Sequence, residues 1–131
     1  MADDGTLMEA ALAAAHAAGA AALRHWRADL AVERKADGSP VTAADREAER
    51  AARAWIEARF PTDGILGEEL GEVRAGAARR WVLDPIDGTV SFVRGVPLWG
   101  SLVAVLEGER RPRPASRRKA IRVILAVSLP S

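Results

Sequence analysis

The chain contains no cysteine in 131 residues, which excludes a disulfide framework and a thiolate metal site and fits a reducing compartment. Large apolar side chains are also scarce. Of 64 hydrophobic residues, 28 are alanine, leaving 36 bulkier side chains to build a core. Alanine favours helix and close helix approach but removes little area from water, so Leu, Val, Ile, Phe and Trp must carry most of the burial energy. The opening Met1-Ala2-Asp3-Asp4 lacks the positive n-region of a signal peptide, and the stretch from Ala10 to Leu23 is too short and too alanine-rich to span a bilayer. The expectation is a soluble, cytoplasmic protein with no membrane partner. Acidic residues are also missing from one end, since no Asp or Glu follows Glu109. The net charge of +1 therefore divides into −6 for residues 1–109 and +7 for residues 110–131. Positive charge confined to one terminal stretch makes a nucleic-acid-binding domain a poor reading. The four tryptophans, Trp26, Trp55, Trp81 and Trp99, are too scattered to stack bases and are read as core anchors.

What is present divides into helices followed by strands. From Leu7 to about Leu30 the larger apolar residues Leu12, Leu23, Trp26 and Leu30 fall at helical offsets. They predict a first helix packed on that stripe, with His16 on it and His25 at the surface. Arg34 to Pro40 is polar and rich in turn formers, and reads as a loop or short hairpin. Thr42 precedes Asp45 by three positions, a capping-box spacing, and Ala48, Ala52, Trp55, Ile56 and Phe60 continue the helical period. A second helix is predicted from about Ala43 to Arg59, ended by Pro61 and Asp63-Gly64. Ile65-Leu66, Trp81-Val82-Leu83 and the run from Ser101 to Leu106 are predicted strands, with a polar loop between the first two. There is no internal repeat. The fold class is α+β: two long helices packed on a mixed or antiparallel sheet, in a layered sandwich.

Acidic residues stand where the strands end. Glu68-Glu69 follow Ile65-Leu66, and Asp84 and Asp87 follow Trp81-Val82-Leu83. The segment Asp84-Pro85-Ile86-Asp87-Gly88-Thr89 sets two carboxylates three residues apart around a proline-fixed turn, so both can converge on one point with the Ile86 carbonyl. Such an all-oxygen donor set suits a hard cation such as Mg²⁺. Gly88 and Thr89 open a stretch whose backbone N–H groups can receive a phosphate where a helix or anion nest begins. Taken singly, each piece has a structural reading: Asp-Gly and Asp-Pro are common turn chemistry, Glu68-Glu69 a solvated acid pair, Thr42 with Asp45 a helix cap. The functional reading rests on their succession within one short domain.

On these residues the chain resembles the inositol monophosphatase-like superfamily of Mg²⁺-dependent, lithium-sensitive phosphomonoesterases. The resemblance covers residues 35–107: Lys35 with Ser39-Pro40-Val41-Thr42-Ala43-Ala44-Asp45, then Leu66-Gly67-Glu68-Glu69, then Trp81 to Thr89 with Phe92. Within the superfamily, Ser91 to Gly100 is most similar to histidinol-phosphate phosphatases. Inositol monophosphatases are the runner-up, because they usually carry Asn at the position of Ser91. The resemblance implies that Glu68, Asp84 and the Ile86 carbonyl bind a first Mg²⁺, and that Asp84 and Asp87 contribute to a second, in a site of two or three ions. It implies a catalytic set of Glu68, Asp45 and Thr89, the last two holding the attacking water. It places the substrate phosphate on Asp87, Gly88 and Thr89. The implied partner is a small-molecule phosphate monoester, and the candidate assembly a homodimer.

The resemblance stops at about Glu109, because the family continues into a second half whose Trp-Asp motif completes the metal site, and here Arg110-Arg111-Pro112-Arg113-Pro114 follows instead. Two units are therefore expected: residues 1–109 as the N-terminal metal-binding half of such a domain, truncated, and residues 110–131 as a basic, aberrant or disordered tail. A shifted reading frame in a G·C-rich gene would produce such a tail. Two readings of another class remain open, a non-catalytic metal-binding fragment and an interaction protein with a basic arm. As an enzyme, the chain alone is expected to show very low or no activity.

Overall fold

The first helix, α1 (Asp4–Leu23), begins at Asp3, whose carboxylate accepts from the Thr6 N–H at 2.7 Å and satisfies one of the donors a helix start leaves unpaired. The structure is a computed structural model, in which residues 3–26, 32–34, 40–97, 99–108 and 122–130 are described. The buried face of α1 is not the predicted leucine stripe. Leu7, Ala10, Ala11, Ala14, Ala15, Ala18, Gly19, Ala21 and Ala22 are buried, whereas Leu12 and Leu23 are 40% and 38% exposed. Close packing against the second helix and the sheet selects small side chains, and leucine at those positions would hold the layers apart. The helix also ends at Leu23 rather than near Leu30, which lies outside the described residues. His16 is exposed rather than packed, and His25 is at the surface as expected, paired with Glu47. By length and composition α1 could cross a bilayer, but half of its most apolar stretch is buried inside the protein, as in a core helix.

A short antiparallel pair, β1 (Val32–Arg34) and β2 (Pro40–Thr42), realises the predicted hairpin. Helix α2 (Ala43–Arg59) has the predicted bounds. It packs on α1 and on the main sheet. That sheet contains β3 (Gly64–Gly67), β4 (Gly71–Val73), β5 (Arg79–Asp87), β6 (Gly100–Glu107) and β7 (Arg122–Ser128), in the order β4-β3-β5-β6-β7. Only β3 and β5 run parallel; the other neighbours are antiparallel. The fold is thus α+β, with helices layered on a mixed sheet. A one-turn helix, α3 (Thr89–Val93), lies between β5 and β6.

The core is built from few large side chains, as the composition requires. Trp81, Phe92, Leu7, Ile56 and Ile65 are fully buried, and Phe92 meets Trp99 edge to face with ring centroids 5.0 Å apart. Trp81 and Trp99 are buried anchors, while Trp26 and Trp55 are half-buried at the rim. Asp63 is a buried carboxylate, made tolerable by two donors: Trp81 Nε1 at 2.8 Å and Arg79 Nε at 2.5 Å.

Two further segments differ from expectation. The polar loop between the first two strands contains β4, whose Gly71 has a left-handed φ of 79° and closes a hairpin with β3 across residues 68–70. The segment expected to be a tail includes a strand. Residues 109–121 lie outside the described residues, but Arg122–Ser128 pairs with β6 from Glu107↔Arg122 to Ser101↔Ser128. The physical reason is local composition: Arg122-Val-Ile-Leu-Ala-Val-Ser128 is an apolar, β-branched run that prefers a sheet to solvent. Ser128 is buried against α1, where its Oγ lies 3.2 Å from His16 Nδ1.

Candidate active site

Helix α2 turns two acids inward. Asp45 and Glu49, four residues apart, share the buried stripe of Ala44, Ala48, Ala52 and Ile56. A carboxylate taken out of water is costly unless it is hydrogen-bonded, so both need partners. The partners lie on the two turns that carry the other predicted site residues.

The parallel pairing of β3 with β5 sets the first relation. Gly67 is paired with Leu83, the last pair of that ladder, and the next residues are Glu68, which opens the β3–β4 turn, and Asp84, which continues β5. Asp84 is half-buried, and Glu68 is exposed in the β3–β4 turn. The second relation comes from an irregularity in β5. Its register with β6 shifts between Asp84 and Asp87, which corrects the expected proline-fixed turn: the segment remains within the strand, and Pro85 sits where the ladder is interrupted. Two hydroxyls take up the carbonyls there. Ser101 Oγ donates to the Pro85 oxygen at 2.7 Å, and Thr89 Oγ1 donates to the Ile86 oxygen at 3.1 Å.

Gly88 then turns the chain into α3 with φ 87° and ψ 43°, a left-handed conformation that strains any residue with a Cβ. Thr89, the first residue of α3, also has its hydroxyl 3.5 Å from Asp45 Oδ1, at the outer limit of a hydrogen bond. The structure therefore gathers Asp45, Thr89 and the Ile86 carbonyl at one place, while Glu68 and Asp84 each follow the last residues paired between β3 and β5. Asp87 is exposed beyond the irregularity. Lys35 and Ser39 of the sequence motif lie outside the described residues.

Among the described residues, no three of the His, Asp and Glu side chains are grouped closely enough to hold a metal ion. The carboxylates of the predicted set, Glu68, Asp84 and Asp87, come from an exposed turn, a half-buried strand position and an exposed strand end. They fit a divalent cation in donor chemistry, being oxygen ligands beside a backbone carbonyl, and in strand placement. They do not by themselves make a complete cluster. A cleft of about 480 Å³ between α1 and α2, bordered by Trp55, Arg59 and Phe60, includes none of these residues.

Three positioning residues escaped the sequence reading: Glu49, Arg53 and Ser101. The Glu49 carboxylate accepts from the N–H groups of Glu69 at 2.9 Å and Leu70 at 2.8 Å and from Arg53 Nε at 3.1 Å. Arg53 also donates to the Gly71 carbonyl. The available signal was spacing: Glu49 lies four residues after Asp45 on the alanine stripe, not on the arginine-rich outer face.

A mixed sheet under two helices, with Asp45, Thr89 and the Ile86 carbonyl brought to one place, defines an α+β domain with a candidate site. The model of the inositol monophosphatase family matches residues 3–114, and the chain belongs to that family. A histidinol-phosphatase of Chlorobaculum parvum is 48% identical over 99 residues, covering 75% of this chain and 38% of the relative. The histidinol-phosphatase of Mycobacterium tuberculosis is 48% identical over 85 residues, covering 65% and 33%. Among solved structures, an inositol monophosphatase from Zymomonas mobilis superposes with a TM-score of 0.64 at 43% identity, covering 82% of this chain and 41% of that one. The chain thus spans about two fifths or less of the length of these relatives.

Proposed function

We propose that this chain carries the N-terminal half of the active site of a Mg²⁺-dependent phosphomonoesterase whose substrate is histidinol phosphate. The observation that carries the reading is the parallel pairing of β3 with β5 up to Gly67↔Leu83, immediately before Glu68 and Asp84, together with the Thr89–Asp45 contact. Glu68, Asp84, Asp87 and the Ile86 carbonyl would hold the cation. Bound there, Mg²⁺ supplies a water of lowered pKa and neutralises charge on the phosphate and the leaving oxygen.

The chain's own residues do the rest. With the Ile86 carbonyl engaged by the cation, the Thr89 hydroxyl would turn its one proton from that carbonyl to Asp45 Oδ1, which leaves the Thr89 oxygen lone pairs to orient a water toward phosphorus. Gly88 precedes α3 and Thr89 begins it, so their amides have no carbonyl of that helix to satisfy them, and these suit a phosphate oxygen. Burial of Asp45 on the inner face of α2 keeps it from exchanging this role with bulk solvent. Hydrolysis of a phosphate monoester needs several positive centres together. This half supplies only part of them, so turnover by the chain alone is very low.

The 48% identity to histidinol-phosphatases supports the choice of alcohol. A second reading, an inositol monophosphate substrate, is favoured by the 43% identity to the Zymomonas mobilis structure. A cytoplasmic setting and inhibition by lithium belong to the same proposal. The test is phosphate release from histidinol phosphate and from inositol 1-phosphate with Mg²⁺, with and without lithium. It is run on this chain and on this chain joined to the second half of a histidinol-phosphatase. The expected result is release from histidinol phosphate by the joined chain, inhibited by lithium and abolished by Asp84→Asn, with little from the chain alone. Faster release from inositol 1-phosphate would transfer the reading to the second substrate, and no release from either would overturn both.

A further inference from the structure

We infer that Glu49 is a positioning residue for the metal ligand Glu68, acting with Arg53 as a clasp on the β3–β4 turn. The inference rests on the metal-site reading above and adds a residue to it. The clasp reads both polarities of the turn backbone. Glu49 accepts from the amides of Glu69 and Leu70, and Arg53, one helical turn further along α2, donates to the carbonyl of Gly71. The two side chains are also bonded to each other, Arg53 Nε to Glu49 Oε2 at 3.1 Å, so neither charge is left buried alone.

The residue before Glu68 is shaped to the same clasp. A Cβ on Gly67 would overlap the carboxylate carbon of Glu49 and both its oxygens. The carboxylate therefore occupies the space that the absent side chain leaves. Glu68 is held on both sides, by the close fit at Gly67 and by the bonded amide of Glu69. Yet it is itself exposed, while Glu49 is fully buried.

A turn of three residues on the surface has few contacts to fix it, and an exposed glutamate on such a turn explores many positions. A buried carboxylate bonded to two consecutive amides removes that freedom before any cation arrives. Groups that orient a metal ligand typically change affinity by about 10- to 100-fold when removed. Glu49 itself touches neither the cation nor the substrate in this account.

The test combines two measurements on the full chain: Mg²⁺ affinity by calorimetry and amide hydrogen exchange of Glu69 and Leu70 without metal. The proteins are the unsubstituted chain, Glu49→Ala, Glu49→Gln and Asp84→Asn. The expected results are loss of Mg²⁺ binding in Asp84→Asn, binding about 10-fold or more weaker in Glu49→Ala with both amides exchanging faster, and an intermediate affinity in Glu49→Gln, which keeps one acceptor oxygen. If Glu49→Ala does not fold, Glu49→Gln carries the comparison, and an affinity equal to that of the unsubstituted chain overturns the inference. Glu49 variants that fold less stably but bind Mg²⁺ normally show a structural residue only, and the inference fails while the metal site stands. Absence of Mg²⁺ binding by the unsubstituted chain overturns the metal site and the inference with it.

Discussion

Gly67→Ala adds one methyl group, and the structure gives it a large effect. The new Cβ would overlap the Glu49 carboxylate, and separating them to ordinary contact requires a shift of about 1 Å. A long side chain normally gives way cheaply. Here its end is fully buried and holds bonds of 2.8, 2.9 and 3.1 Å, so yielding to the methyl breaks or stretches bonds made by a charged group. Each such bond contributes about 1.5–3 kcal/mol, and losing or weakening two of the three gives an expected destabilisation of about 3–5 kcal/mol. The assay is urea unfolding of the unsubstituted chain, Gly67→Ala, Glu49→Ala and the double variant. With Glu49 already truncated the collision is gone, so the second substitution should add about 1 kcal/mol or less, a coupling of at least about 2 kcal/mol. Gly67→Ala costs that add to within about 0.5 kcal/mol in both backgrounds would refute the packing argument.

Three further outcomes follow from other parts of the molecule. Asp63→Ala leaves the buried Trp81 Nε1 without its acceptor and removes the partner of Arg79, so it should cost about 2–4 kcal/mol by the same unfolding measurement. Phe92→Ala empties a fully buried site beside Trp99 and beneath the turn that carries Thr89, with an expected loss of about 3–5 kcal/mol and a lower thermal midpoint. The third concerns pH. Glu47 is held below the ordinary glutamate range, first by its hydrogen bond with His25 and then by the charge of that ring, and Asp3 is lowered by the Thr6 backbone N–H. Because these folded-state values are depressed, the stability they give is complete above the ordinary carboxylate range and is lost as pH falls through the lowered values. Glu47→Gln should therefore flatten the acid limb of a midpoint-against-pH curve, and the difference should shrink in high salt, since the pair is exposed.

Much of this was legible in the sequence where one physical signal dominated. Helix α2 was readable to the residue, because Thr42 and Pro61 bracket a clear period of Ala48, Ala52 and Ile56. The strands were readable from apolar runs ending at Gly, Asp and Pro, and the succession of acids after them marked the candidate site. The failures came from alanine and from charge. In α1 the leucines set the visible period, but layer spacing favoured the alanine face, so Leu12 and Leu23 point to solvent. Glu49 sits in a segment, Arg46-Glu47-Ala48-Glu49-Arg50, whose composition reads as a solvated face. Only the tertiary approach of the β3–β4 turn makes its burial favourable. Residues 122–128 were obscured by the basic run before them, although their own β-branched character was enough for a strand. The irregularity in β5 depends on a hydroxyl sixteen residues away, Ser101, and spacing within the motif carries no trace of it.

The central claim is that one acidic cation site lies where β3 and β5 end, beside Asp45 and Thr89. Its most direct test is amide-resolved NMR of the chain during addition of a small amount of Mn²⁺, whose unpaired electrons broaden nearby resonances. The account predicts that the amides of Glu68, Asp84, Ile86, Asp87 and Thr89 broaden first, that excess Mg²⁺ restores them, and that Asp84→Asn abolishes the effect. Broadening centred on any other part of the chain, or spread evenly over its exposed acids, would contradict it.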